Sequence, residues 1–145
     1  MKGHAAGVRC VIVLNTTEIM SCSDDGTVRR WNTSDGTCSQ TCGTQTTAIL
    51  SVASFPDSTD FVGCVADHTL QVWHEQTLKQ TVALPDQSLS AVCVLSNGDM
   101  VANTRLVTVT VYVISHFTNN QNGSLSVPAY LELARGIKRV KGPRT

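Results

Sequence analysis

Short apolar stretches with a period of two, separated by turn residues, run along most of this chain. Val8, Cys10, Ile12 and Leu14 alternate with Arg9, Val11 and Val13, the period of a strand, and apolar residues on both faces predict a strand buried from both sides. Asn15-Thr16-Thr17-Glu18 has turn chemistry, residues 19–22 read as a second strand, Asp24-Asp25-Gly26 as a tight turn and residues 27–31 as a third strand. Ser34-Asp35-Gly36 then turns the chain into a fourth, over 37–42. Four short antiparallel strands make one twisted sheet that cannot bury both faces alone, so the pattern predicts neighbours stacked against it.

The order repeats. Strands are predicted over 48–55, 60–64, 69–73 and 79–84, with turns at Pro56-Asp57-Ser58-Thr59 and Asp67, and a weaker copy follows over 90–95, 99–103 and 107–113 around the Asn97-Gly98 hairpin turn. The first two copies end in one string, Asp25-Gly26-Thr27-Val28-Arg29-Arg30-Trp31 and Asp67-His68-Thr69-Leu70-Gln71-Val72-Trp73, 42 residues apart. Tyr112, 39 residues after Trp73, is expected where the next Trp would fall. A repeat of roughly 40–45 residues with Gly-His near its start and a Trp-Asp-like end resembles the blade of a WD40 β-propeller. The expected fold is all-β: a WD40-type propeller fragment of about three four-stranded blades (3–42, 43–84 and 85–113), not closed, with a linker and irregular basic tail over 114–145.

The residues between the motifs narrow the resemblance. Gly3-His4 before Val8-Arg9, then Thr17-Glu18, Ser21-Cys22 and Arg29-Arg30-Trp31 look like one blade of the phospholipase A-2-activating protein family, the ubiquitin-binding propeller cofactors of the Cdc48/p97-type ATPase. Phe55-Pro56, Asp60-Phe61-Val62, Leu84-Pro85-Asp86-Gln87-Ser88 and Cys93-Val94-Leu95 before Asn97-Gly98-Asp99 are similar to the next two blades. The resemblance covers about residues 2–113 and corresponds to the last three blades of seven. It implies a buried hydrogen-bonded set of His4, Ser21, Asp25 and Trp31, structural because a buried carboxylate must be paired. The second copy keeps Asp67 and Trp73 but has Gly43-Thr44 and Gly63 at the other two places, and in the third Asn103-Thr104-Arg105-Leu106 fills the turn without an Asp. Stability is expected to fall along the chain in that order.

The resemblance further implies a ubiquitin-binding protein in ubiquitin-dependent degradation and ubiquitin recycling, reaching a Cdc48/p97-type ATPase through domains this sequence does not contain. The loops at 5–7, 24–26, 44–47, 66–68 and 86–88, with Asp24, Thr46, His68 and Gln87, are the candidate contacts. The competing reading is a protein-interaction scaffold with no ubiquitin role.

Length adds a constraint, because a closed ring of seven repeats needs about 300 residues and 145 hold three blades at most. The expectation is a piece of a longer or aberrant product, or an arc that assembles with copies of itself or with another arc. Charged residues make up 15% of the chain, below the ~25% usual for globular proteins. The longest apolar run, 107–114, is far short of the ~20 residues of a membrane span, and no secretory signal opens the chain, so a cytoplasmic or nuclear protein is expected. The six cysteines lack a Cys-x-x-Cys pair, and only Cys38 and Cys42 come within metal-ligand spacing, so buried reduced thiols are expected, with no metal and no cofactor. Asn15, Asn32 and Asn122 head accidental glycosylation sequons. No phosphate loop or nucleophile elbow occurs, and the four histidines sit at bland positions, so no enzymatic activity is expected. Arg135, Lys138, Arg139, Lys141 and Arg144 balance a net −5 over residues 1–134. That basic end reads as solvated more than as a nucleic-acid site.

Overall fold

In a computed structural model that describes residues 3–43, 46–83, 89–104 and 111–114, those residues form eleven strands and no helix. The first sheet is β1 (Val8–Val13), β2 (Glu18–Ser23), β3 (Val28–Asn32) and β4 (Cys38–Cys42). The second is β5 (Ile49–Ser54), β6 (Asp60–Val65), β7 (Thr69–His74) and β8 (Thr77–Ala83), and the third β9 (Leu89–Val94), β10 (Met100–Thr104) and β11 (Val111–Ile114). Each is an antiparallel meander in chain order. The strands therefore agree with the expected ones to within about two residues except at β11, and the third sheet shows three strands among the described residues.

One turn recurs. Asp25, Asp35 and Asp67 each accept, on Oδ1, both the backbone N–H and the hydroxyl of the Thr two residues on, at 2.9 and 2.6 Å to Thr27, 2.9 and 2.7 Å to Thr37, and 3.1 and 2.6 Å to Thr69. The residue between is left-handed each time, with φ of 76° at Gly26, 73° at Gly36 and 70° at His68. Glycine adopts this conformation freely, whereas a side chain there costs on the order of 1 kcal/mol. His68→Gly is therefore expected to stabilise the fold by about 0.5–1 kcal/mol, read as a higher denaturation midpoint; no gain would show the strain to be relieved elsewhere.

The sheets stack face to face as an open arc. Met20, Cys22, Val28 and Cys42 of the first pack on Ile49, Val52, Phe61 and Trp73 of the second. Val62, Cys64, Leu70, Val72 and Val82 of the second pack on Leu89, Val92, Met100 and Ala102 of the third. Strand pairing places Val8, Val11 and Ile19 in the first sheet at the register of Ile49, Val52 and Phe61 in the second and of Leu89, Val92 and Met100 in the third. These three positions make the near face of each blade. In the second and third sheets all are buried under the preceding sheet, but in the first Val8, Val11 and Val13 are 52%, 55% and 75% exposed. The expectation that β1 is buried on both sides is thus corrected. Only Cys10, Ile12 and Leu14 pack inward, against the joint with the second sheet, because no described residues stack on the other face.

Register corrects a second expectation. Trp31 pairs with Ile19 and Trp73 with Phe61, and the residue that pairs with the equivalent Met100 is Ile114, while Tyr112 pairs with Ala102. Tyr112 therefore stands two residues before the Trp position.

Candidate functional site

The strand order brings the connections at 5–7, 24–26, 46–48 and 66–68 to one end of the arc. Asp24 N–H donates to Gly7 O at 2.9 Å and Ala66 N–H to Ala48 O at 2.9 Å, tying each turn between the second and third strands of a blade to the segment entering its first. In the first blade a chain of side chains lies beneath these turns. Trp31 Nε1–H donates to Ser21 Oγ at 2.8 Å, Ser21 Oγ lies 2.7 Å from His4 Nε2, and His4 Nδ1 lies 3.0 Å from Asp25 Oδ2. A carboxylate only accepts, so Nδ1 carries the proton. A neutral imidazole then takes the Ser21 proton on Nε2, and every link from indole to carboxylate is satisfied in one direction.

All four expected residues, His4, Ser21, Asp25 and Trp31, are thus brought together. Two partners escaped the sequence reading: Ala5 N–H donates to Asp25 Oδ2 at 2.9 Å, and Thr27 closes the other oxygen. Gly3 belongs to the same construction, since a Cβ there would lie 2.8 Å from Trp31 Cη2. Burial pushes the Asp25 carboxyl pKa upward, but the hydrogen bonds from Thr27, Ala5 and His4 outweigh it and hold the group well below the usual carboxylate range.

The second blade lacks this chain. Gly63 occupies the register of Ser21, and the third blade has Ala102 there, so the hydroxyl is lost in both. Asp67 is exposed and among the described residues keeps its Thr69 turn, while Trp73 is 6% exposed and stacks on Phe61 with ring planes 6° apart. A different network stands at the opposite end of this blade. Asp60, opposite His74 in register, accepts from His74 Nδ1 at 2.6 Å and Lys79 Nζ at 3.0 Å. Burial raises its pKa, and those two partners, together, bring it below the ordinary value. A depressed folded pKa means stability fully present above the unfolded value of about 4 and lost as pH falls below it toward the folded value. Asp25 and Asp60 share that sign. The melting midpoint is therefore expected to drop steeply below about pH 4, and less steeply in Asp25→Asn.

Of the candidate contact residues, Thr46 and His68 are exposed. Asp24 is engaged by Arg9 Nε at 2.6 Å, which ties the 24–26 turn to β1, and Gln87 lies outside the described residues. Asp24, Thr46 and His68 share one end of the arc, where Ala6 also helps to line a cleft with His4 and Trp31; other clefts lie away from it. One of about 360 Å³ opens between the turns at the opposite end, lined by Glu18, Arg30 and Asp57 among others. No group of His, Cys, Asp and Glu among the described residues is arranged to hold a metal ion. What this end can do is present backbone and side-chain contacts to another macromolecule on a scaffold fixed from beneath.

The stacked four-stranded meanders with a Trp–Ser–His–Asp chain define WD40 repeats, and residues 1–32 and 36–74 match the WD domain, G-beta repeat family. Among solved structures, the WD40 β-propeller domain of Doa1 is similar over 70% of this chain and 34% of that one, with a TM-score of 0.65 and 28% identity. Ubiquitin homeostasis protein lub1 of Schizosaccharomyces pombe is 32% identical over 81 residues, 56% of this chain and 11% of the relative. The DENN domain and WD repeat-containing protein SCD1 of Arabidopsis thaliana is likewise 32% identical over 81 residues, 55% of this chain and 7% of that protein. The chain thus spans about a tenth or less of the curated relatives it matches.

Proposed function

We propose that this protein is a protein-binding WD40 arc that contacts ubiquitin or ubiquitylated proteins through the loop end carrying Asp24, Thr46 and His68, and serves ubiquitin-dependent degradation and ubiquitin recycling. The observation that carries the reading is the pinned loop end: Arg9, Asp24 and Gly7 fix the first loop pair, and the Asp25 set fixes it from below. The family resemblance of all three blades supports ubiquitin as the partner, as does the likeness to a relative named for ubiquitin homeostasis. A Cdc48/p97-type ATPase would be met through other domains.

Titrating labelled ubiquitin against the folded chain tests it. Shifts confined to the loop residues, weakened in Asp24→Ala and His68→Gly, are expected; a folded chain unaffected by saturating ubiquitin would remove the reading. Because His68→Gly is also expected to stabilise the fold, its loss of binding could not come from unfolding. The equal identity to a DENN-domain WD repeat protein favours a second reading, a scaffold indifferent to ubiquitin, and the same titration separates the two.

A further inference from the structure

Of the six cysteines, two stand directly opposite each other. Cys10 on β1 pairs with Cys22 on β2, just after the register shift that follows Val8. Opposed residues on antiparallel strands have Cα atoms about 4.5 or 5.5 Å apart, and both spacings fall within the roughly 4.4–6.8 Å that a disulfide spans. Both side chains lie on the face that packs against the second blade, and the Cys10 thiol and backbone N–H both act on the Cys22 thiol. No other two cysteines are so placed. Cys42 shares that face but is reached through Val28, two strand spacings or about 10 Å from Cys22. Cys38 pairs with Trp31 on the other face, Cys64 packs toward the third blade, and Cys93 lies in that blade, exposed. The two partners also differ in access: Cys22 is fully buried, whereas Cys10 is half-buried and meets a reagent first.

We infer that Cys10 and Cys22 form a reversible disulfide, a redox-sensitive staple beneath the loop end that Arg9 and Asp24 tie together. The oxidant is a small-molecule disulfide such as oxidised glutathione. The Cys10 thiolate attacks one of its sulfurs, forming a mixed disulfide and releasing one reduced thiol. Cys22, deprotonated, then attacks the Cys10 sulfur, forming the bond between the two strands and releasing the second reduced thiol. The two cysteines give up two protons and two electrons, which the small disulfide takes up. Burial keeps Cys22 protonated, so the second step is the slow one and the mixed disulfide at Cys10 precedes it. The finished bond ties β1 to β2 at the end of the hairpin next to Arg9 and Asp24. It also removes the thiol proton that Cys10 donates to Val52 O at 3.9 Å, so oxidation stiffens the first blade and loosens its hold on the second.

Incubating the full chain at set ratios of reduced to oxidised glutathione, then unfolding it, alkylating the free thiols and digesting with trypsin, tests this. Both cysteines fall in one tryptic peptide, residues 10–29. As the oxidised share rises, that peptide is expected to lose two hydrogens and both alkylation sites, and to regain them under dithiothreitol. Cys10→Ser, which keeps a donor for Val52 O, is expected to abolish the change, whereas Cys38→Ser and Cys93→Ser leave it intact. Amide exchange over β1 and β2 is expected to slow about tenfold in the oxidised chain. A folded chain whose Cys22 is fully alkylated at every ratio would overturn the proposal, as would a bond from Cys22 to Cys42 or Cys64. Unchanged exchange in a chain that does carry the Cys10 to Cys22 bond would overturn the staple.

Discussion

Asp25→Ala is expected to lower the unfolding free energy by about 3–5 kcal/mol, the range for removing one partner of a buried charge network. The carboxylate is the acceptor for four donors, the Ala5 and Thr27 amides, the Thr27 hydroxyl and His4 Nδ1–H, and alanine strands them together. Loss of the His4 link also frees the imidazole from Ser21 and so from Trp31. Asp67→Ala in the second blade removes the same residue type from the same turn, yet there the carboxylate is exposed and, among the described residues, serves Thr69. It is expected to cost about 1 kcal/mol or less. Denaturant midpoints of the two variants decide the matter: equal losses would show that the turn, and not the buried chain, holds the blade.

The second large effect is Phe61→Ala, expected to cost about 3–5 kcal/mol through the cavity it leaves. Phe61 is 1% exposed, stacks on Trp73, and sits where the first sheet's Met20, Cys22 and Val28 meet the second. Its removal therefore loosens the joint between two blades as well as one hairpin. Phe61→Leu keeps most of the volume and is expected to cost about 1–1.5 kcal/mol. A stability loss that does not scale with the volume removed would place the joint's strength elsewhere.

Much of this was legible in the sequence because the repeat carries its own markers. The Asp-x-Thr strings fix the turns and period-two alternation fixes the strands, while the set of His4, Ser21, Asp25 and Trp31 is implied by the family resemblance and is joined by hydrogen bonds in the structure. What stayed hidden depends on register and stacking. Tyr112 matched the expected spacing, but pairing sets the position, and Met100 selects Ile114. Asp60 and His74 are 14 residues apart and meet only because β6 and β7 pair with those two opposite each other. The exposure of Val8, Val11 and Val13 follows from what stacks on β1, which alternation along one strand does not encode.

The buried thiols give the arc an internal clock. Cys22 in the first blade and Cys64 in the second are fully enclosed, and burial pushes each up to about 12, so at pH 8 about one in ten thousand would be thiolate even if a reagent could reach it. Cys38 and Cys93 are exposed and react without any opening. Under a thiol reagent, then, the slow sulfurs report how often the first two blades breathe, through Cys22 and Cys42 in the first and Cys64 in the second, with no label introduced.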